Sequence, residues 1–414
     1  MERIAYVGLD LHKKTVVWCA KDPRGRVLDA GTVGATRGEL TEWCAARRRP
    51  WIGAMEATLF TGWIYDFLRP HARELKVAHP LMLRAIAAGK KKNDKVDAAM
   101  LADLLRCDLI PECHMATPEI RELRRVLRYR RLAVEQMVKM KNKTSGLLME
   151  IGAEYNKQRL DGKKYFAALL ERLEPDTPAS VMELLKLSRE AMEMHRQTSR
   201  RLTDGLREHP ALARRVEMLM TIPAVGQVTA LTWALEIGEP GRFASIRRAI
   251  SYCGLCSGQK ESAGKERRGP ISKQRNRHLQ AVLVEAAKIA PHWNGTLAEI
   301  HARELKRGGR NRATLAVARK LVAWLLAVDR RGEPFEERAA VGQPKNEFSS
   351  HAMEAKKRER PKPAAGRPGA PHRTAQALLS SRALQLPFCN EPGHAARPNT
   401  PPSPGGGRPE RRSL

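Results

Sequence analysis

The chain has 414 residues, a formal net charge of +30 and a pI of about 10.3. This length is sufficient for two or three domains, each with its own core. The excess of Lys and Arg favours nucleic acid as the partner. The sequence contains no run of eighteen apolar residues and no amphipathic anchor at its start, which argues against a membrane-bound protein.

Two features of the sequence predict a cytoplasmic location. The start, Met-Glu-Arg-Ile, leads directly into a strand pattern without a signal peptide. The chain also has seven cysteines, an odd number scattered over its length, which is typical of reduced thiols.

Residues 1–112 alternate between strand-like and helix-like segments. Three consecutive strand patterns come first and are followed by a helix at about 36–48. A strand that ends at Glu56, a helix at about 60–70 and a further strand then follow. This order predicts an α/β domain of the ribonuclease-H-like type, in which the first strand lies in the centre of the sheet.

Four carboxylates in this region are candidates for a metal site. Asp10 and Glu56 end two apolar strand patterns, and Asp94 and Asp97 lie three residues apart at a predicted helix start among lysines. Acids in these places can converge on two Mg²⁺ ions about 4 Å apart, which hold the attacking and leaving oxygens of a phosphodiester. The alternative is that each acid is a cap, turn or surface residue.

From Pro118 the sequence becomes helical. Two stretches with heptad-like spacing, at 120–141 and 181–206, are separated by a Gly- and Pro-bearing segment at about 152–178. They predict that the region 113–210 forms an αα-hairpin that also dimerises. Pairing of the two stretches between subunits is the alternative.

Residues 211–337 predict a third, mostly helical domain. Its entry, Leu219–Leu231, has the pattern of two helices around a Pro/Gly turn. This is either a helix-hairpin-helix, whose turn amides bind a DNA phosphate, or a plain helix–helix connection. The remaining residues, 338–414, are rich in Pro, Gly, Ala, Ser and Arg, so we expect a disordered tail.

A second chemical cluster lies between Ser251 and His278, where small and basic residues alternate before a helix predicted to begin near Asn276. A hydroxyl flanked by glycine and surrounded by Lys and Arg can attack a phosphodiester, because the cations lower its pKa and neutralise the developing charge. Phosphate-binding loops and plain surface loops have the same composition. The pattern alone therefore leaves these interpretations open.

Several motifs resemble those of one known family, the IS110/IS1111-type transposases (IS116/IS110/IS902 type), which are RNA-guided bridge recombinases. The motifs span about residues 1–335 and include Gly8-Leu-Asp-Leu-His-Lys, Met55-Glu-Ala-Thr, Lys92-Asn-Asp-Lys-Val-Asp-Ala, Thr221-Ile-Pro-Ala-Val-Gly, Tyr252-Cys-Gly-Leu and Asn276-Arg-His-Leu. The resemblance implies a RuvC-like N-terminal domain whose Asp-Glu-Asp-Asp tetrad falls on Asp10, Glu56, Asp94 and Asp97. It also implies a C-terminal transposase domain whose nucleophilic serine, which joins covalently to DNA, is Ser262.

Together the patterns and the resemblance predict an insertion-sequence transposase that acts on DNA as a dimer or tetramer with Mg²⁺, and the resemblance implies a guide RNA. The expected catalytic residues are the four acids and Ser262. The residues expected to hold the nucleic-acid backbone are Lys265, Arg267, Arg268, Lys273, Arg275 and Arg277. Two alternatives remain open: a Holliday-junction nuclease that uses only the acids and water, and a non-catalytic nucleic-acid-binding protein.

Overall fold

A five-stranded mixed sheet is formed by the first part of the chain. The structure is a computed structural model that describes residues 4–86, 93–262 and 264–337. The five strands are β1 (Ala5–Leu11), β2 (Thr15–Lys21), β3 (Val27–Gly34), β4 (Trp51–Glu56) and β5 (Glu74–Ala78). Their spatial order is β3-β2-β1-β4-β5, with β1 antiparallel to β2 and parallel to β4. The predicted central position of the first strand is confirmed.

Helices cover both faces of this sheet, and the alternation of side chains along the strands explains why. The helices are α1 (Arg37–Ala45), α2 (Thr61–Leu68), α3 (Pro80–Ile86) and α4 (Asp94–Arg106). Val7 and Leu9 of β1 share a buried cluster with residues of α1 and α2. Val17 and Cys19 of β2 pack on the other face against Ala98 of α4. Since successive strand residues point to opposite faces, Gly8 and Asp10 lie on the α4 face.

Gly8 allows α4 to approach the sheet closely. A Cβ atom at residue 8 would lie 2.0 Å from the carbonyl oxygen of Ala98 and 2.6 Å from the amide nitrogen of Ala102. Both are backbone atoms of a helix and have little freedom to move, so only glycine fits here. The short approach brings the first turn of α4 close to the end of β1 that carries Asp10.

We therefore expect Gly8→Ala to lower the free energy of unfolding by about 1–3 kcal/mol, because the added methyl group forces α4 away from the sheet. Urea unfolding measures the loss. Gly38→Ala in α1 is the matched control, since its Cβ would have no atom within 4 Å. In that variant we expect no loss, and a gain of up to about 1 kcal/mol from helix propensity. Equal stabilities for Gly8→Ala and the wild type would contradict the close approach.

The middle of the chain forms an αα-hairpin. Its helices are α5 (Pro118–Glu150), α6 (Lys163–Leu173) and α7 (Ala179–Glu208). Arg130 of α5 donates a hydrogen bond to Thr203 of α7, whereas Thr144, further along α5, contacts Met192, earlier in α7. The two long helices are therefore antiparallel, as predicted. The short helix α6 lies in the connecting segment and was not predicted from the sequence.

The last described part of the chain is mostly helical, as predicted. Its elements are α8 (Ala213–Met220), α9 (Gln227–Ile237), α10 (Ile246–Tyr252), β6 (Ser257–Ser262), β7 (Lys265–Ile271), α11 (Arg277–Ile289) and α12 (Gly295–Arg331). The largest buried cluster joins these helices to the first half of α5, and Trp233 of α9 lies in it with no exposed surface. In the described ranges, none of the helices combines the length and apolarity that a bilayer crossing requires.

The chain between Ser257 and Ile271 is a two-stranded antiparallel hairpin, whereas a loop was expected. Its strands consist mainly of charged and small residues and therefore lack the apolar alternation that identifies a strand.

The helix–turn–helix at α8 and α9 is present, and its phosphate binding stays a prediction. The expected disordered tail, residues 338–414, lies outside the described residues.

Candidate active site

Asp10, His12 and Asp94 form a tight group at the C-terminal end of the central strand, β1. Nε2 of His12 lies 3.2 Å from Oδ2 of Asp10 and 3.2 Å from Oδ2 of Asp94. One ligand atom from each of the three side chains falls within 4.8 Å of the others. Asp10 is mostly shielded, with 15% of its side chain exposed, whereas Asp94 is 59% exposed. The group therefore has a buried side on the sheet and an open side toward solvent.

Local hydrogen bonds fix the two elements that complete this site. Asn93 caps α4 by accepting from the amide of Val96, so the helix begins at Asp94 and presents Asp94 and Asp97 in its first turn. After β4, the hydroxyl of Thr61 donates to the carbonyl of Glu56 at 2.9 Å. This bond holds the turn that follows Glu56 in a defined shape.

The other three predicted acids lie close enough to Asp10 to act on its charge. Burial raises the pKa of Asp10 above its ordinary value, and the charges of Asp94, Asp97 and Glu56 raise it further. His12 acts in the opposite direction and lowers it. Negative charges from two strands and a helix start therefore accumulate around one carboxylate. Such an accumulation is costly without a cation.

His12 belongs to this site and was not assigned a role from the sequence. Asp10 and His12 are two residues apart, and side chains at that spacing point to the same face of a strand. This spacing is the sequence signal that points to His12. Nε2 of His12 is shielded from solvent, and neither of its short contacts with the carboxylates has hydrogen-bond geometry. A shielded nitrogen without a hydrogen-bond partner, facing two carboxylates, fits a divalent cation.

Ser262 lies at the tip of the β6–β7 hairpin. It pairs with Lys265 across a two-residue connection, in which Gly264 has φ of +74°. This left-handed conformation favours glycine and is typical of tight hairpin turns. Ser262 is exposed, so its hydroxyl is accessible to a large substrate.

The predicted basic residues follow Ser262 along the second strand and into α11. Arg267, Lys273, Arg275 and Arg277 are all exposed, while the side chains of Lys265 and Arg268 lie outside the described part of the structure. Arg275 also packs against Gly254, where a Cβ atom would lie 2.4 Å from the Cβ of Arg275. Exposed cations beside an exposed hydroxyl provide a surface to which a phosphate backbone can bind.

The acids and Ser262 form two separate groups in the described chain. Among described side chains, no hydrogen bond or ion pair joins Ser262 or its basic neighbours to Asp10, Glu56, Asp94 or Asp97. The structure thus groups Asp10 and Asp94 with His12, with Asp97 and Glu56 close enough to act on the charge of Asp10, and it places Ser262 on an exposed hairpin.

Two family models match the chain. A DEDD transposase model of the IS110 family matches residues 7–152, and a model described as "Transposase IS116/IS110/IS902 family" matches residues 216–302. The first match contains all four acids and the second contains the β6–β7 hairpin with Ser262.

Curated relatives agree with these matches. The transposase for insertion sequence element IS1328 of Yersinia enterocolitica is 24% identical over 340 residues, which cover 79% of this chain and 97% of the relative. The transposase for insertion sequence element IS1111A of Coxiella burnetii is 24% identical over 346 residues, covering 81% and 92%. The putative transposase y4qE of Sinorhizobium fredii is 26% identical over 290 residues, covering 69% and 71%.

Both halves of the described chain therefore match the same family, and the similarity to whole transposases extends through the segment between them. The chain belongs to the IS110 family of insertion-sequence transposases, enzymes that cut and rejoin DNA.

Proposed function

We propose that this transposase cuts DNA with a Mg²⁺ site on a RuvC-like domain and rejoins it through a covalent bond to Ser262. The observation that carries the proposal is the group formed by Asp10, His12 and Asp94, around which Asp97 and Glu56 add negative charge. The central strand flanked by one antiparallel and one parallel neighbour supports the RuvC-like assignment of the domain.

The four acids would hold the cation from three elements: Asp10 from β1, Glu56 from β4, and Asp94 and Asp97 from α4. When bound, Mg²⁺ supplies positive charge that stabilises the oxygens of the scissile phosphate. Nε2 of His12 faces the carboxylates of Asp10 and Asp94 without a hydrogen bond to either. Mg²⁺ prefers oxygen ligands, so we assign the main ligand role to the carboxylates and the role of an additional nitrogen donor to His12.

Ser262 would act as the nucleophile. Its Oγ forms a bond to phosphorus while the bond from phosphorus to the sugar oxygen breaks, and the hydroxyl proton ends on that oxygen. One phosphoester bond forms for each one that breaks. A hydroxyl of another DNA strand can therefore reverse the step without an external energy source. Arg267, Lys273, Arg275 and Arg277, together with Lys265 and Arg268, would bind the backbone on either side.

Further parts of the proposal concern assembly. We propose a domain division into residues 1–112, 113–210, 211–337 and 338–414, and a homodimer or tetramer. Since the acids and Ser262 form separate groups, a complete active site requires that two such groups meet around DNA.

Recognition of the target by a guide RNA rests on the family resemblance, and the exposed basic surface is suited to the RNA backbone.

A hydrolytic nuclease is the second candidate, because the cluster of acids is formed without any contribution from Ser262. A plasmid assay separates the two functions. The substrate is a supercoiled plasmid that carries the element with its flanking DNA, incubated with Mg²⁺ and RNA transcribed from those flanks. Protein-linked DNA supports the recombinase, nicked DNA without protein supports the nuclease, and binding without any cleavage contradicts both.

The metal site gives a prediction that needs no DNA. We expect millimolar Mg²⁺ to raise the melting temperature of the wild type, because a cation stabilises only the folded state with its clustered acids. Asp10→Asn should melt higher than the wild type without metal, since it removes a carboxylate that its neighbours repel, and should lose the Mg²⁺ shift. Differential scanning fluorimetry with Mg²⁺, Mn²⁺ and Ca²⁺ measures both effects. An identical Mg²⁺ shift in both proteins would contradict the site.

A further inference from the structure

A buried carboxylate, Glu236, lies near the end of α9 and has partners on three other segments of the chain. Only 2% of the residue is exposed. Oε2 accepts a hydrogen bond of 2.8 Å from Nδ2 of Asn276, and Oε1 pairs with Nη2 of Arg128 at 3.4 Å. The hydroxyl of Tyr252 donates to the backbone carbonyl of Glu236. A buried charge is stable only with partners of this kind.

Asn276 connects this carboxylate to the start of α11. Its Oδ1 accepts from the amides of His278 and Leu279 and so caps the helix, while its Nδ2 binds Glu236. One amide group therefore makes both contacts, and its orientation is fixed by them. Loss of either partner frees the side chain that begins α11.

The same residues anchor the base of the Ser262 hairpin. The amide of Asn276 donates to the carbonyl of Tyr252, and the amide of Ser272, just after β7, donates to the carbonyl of Cys256, just before β6. Gln280 of α11 also donates to the carbonyl of Gly254 at 2.6 Å. Both strands of the hairpin thus extend from a base that α11 and its cap hold in place.

Helix α5 approaches the same place with a row of arginines. Arg124 donates to the carbonyls of Leu235 and Glu236, and Arg128 pairs with the Glu236 side chain. Arg131 lies 3.1 Å from Nδ1 of His278. Arginine only donates, so Nδ1 is the acceptor and the ring is neutral; burial lowers the pKa of His278. Helix α5 therefore contacts both α9 and the first turn of α11.

One turn earlier, α5 contacts α2, a helix that packs on the sheet that carries Asp10 and Glu56. Arg121 donates to the carbonyl of Gly62 and to the carboxylate of Asp66, at 3.2 and 2.6 Å. Both belong to α2, the helix that follows the turn after Glu56. A single helix thus connects the element next to the acids with the base of the hairpin.

We propose that Glu236 is a positioning residue for the Ser262 hairpin. Through Asn276 it fixes the hairpin base. Through Arg128 it connects that base to α5, which in turn contacts α2 beside the sheet with the acids. This role rests on the proposed function, because it matters for catalysis only if Ser262 reacts. Its structural part, the control of the hairpin by Glu236 and Asn276, is independent of Ser262.

The test is a reversal of the pair in the full-length protein. Asn276→Asp retains an acceptor for the helix amides but places a second carboxylate 2.8 Å from Glu236. Adding Glu236→Gln restores a donor and an acceptor with their roles exchanged. Asp329→Asn is the matched control, since Asp329 is also buried, with 2% of its side chain exposed, and pairs with Arg215 and Trp233 in the same core.

Two readouts are needed. Hydrogen exchange of residues 257–276 reports on the hairpin base without any DNA. We expect faster exchange in Asn276→Asp, recovery in the double variant, and no change in Asp329→Asn. The rate of adduct formation with the plasmid and RNA described above reports on catalysis. We expect Asn276→Asp to lose on the order of a hundredfold, since displacement by about 1 Å costs this much, with unchanged nucleic-acid affinity and recovery in the double variant.

The outcomes separate the positioning role from the role of Ser262. Recovery of both exchange and rate in the double variant supports the proposal. Exchange that recovers while Ser262→Ala still forms adduct supports control of the hairpin and overturns the nucleophile instead. Wild-type exchange in Asn276→Asp, or an equal change in Asp329→Asn, would show that Glu236 contributes only general stability and would overturn the proposal.

Discussion

Replacing Asp10, Glu56, Asp94 or Asp97 singly by the corresponding amide should reduce DNA strand cleavage at least about a thousandfold, because each change removes a metal ligand and its charge. Binding of DNA or RNA should stay nearly the same, since affinity for a polyanion comes from many Lys and Arg side chains. Asp10 should be the most sensitive of the four, since it lies on the central strand and is the most shielded member of the Asp10–His12–Asp94 group.

The measurement is single-turnover cleavage of the plasmid in saturating Mg²⁺, with filter binding for affinity. Glu39→Gln is a suitable control, because the Glu39 carboxylate, in the same α/β part, accepts among the described residues only from the amide of Gly34 and from the hydroxyl of Thr36, the N-cap of α1. This variant should cleave at the wild-type rate. Wild-type rates in all four amide variants would refute the metal site.

Ser262→Ala separates the recombinase from the nuclease. A nuclease takes its nucleophile from water, so the loss of one exposed hydroxyl should cost it a small factor. A serine recombinase loses its covalent intermediate and with it all strand exchange, a decrease of several orders of magnitude. Because Ser262 is exposed at a hairpin tip, the variant should fold and bind nucleic acid as the wild type does.

The adduct is detected as slowly migrating DNA on a denaturing gel and located by peptide mapping. Ser257→Ala and Ser272→Ala serve as controls, since Ser257 begins β6 and Ser272 follows β7, both at the base of the hairpin, and both should be dispensable for the adduct. Persistence of the adduct in Ser262→Ala, or its location on Ser257 or Ser272, would show that the nucleophile was wrongly assigned.

The sequence predicted the α/β part well because its signals are local. Apolar runs identified the strands, and the element order predicted that β1 lies in the centre, as the structure shows. Asn93 followed by Asp94 is a strong helix start, so the beginning of α4 was also predictable. The closeness of Asp10 and Asp94 follows from these placements, whereas nothing in the sequence around Gly8 indicates that this residue sets the approach of α4.

Other features depend on contacts between distant residues and were not predicted. The hairpin around Ser262 consists of polar and charged residues, and its strands are defined by pairing rather than by burial. His12 acquires its place because α4 brings Asp94 next to it. The environment of Glu236 depends on side chains from α5 and from the cap of α11, and no pattern near residue 236 reveals them.

Helix α5 also determines how this protein can be divided for engineering. Its 33 residues form a continuous rod about 50 Å long, and its first turns contact both α2 and α9. A chimera joined between residues 112 and 118 would pair arginines of one parent with carbonyls and carboxylates of another. A chimera of two related transposases should therefore take α5, α2, α9 and the first turn of α11 from the same parent. Its junctions should lie in the connection around α6.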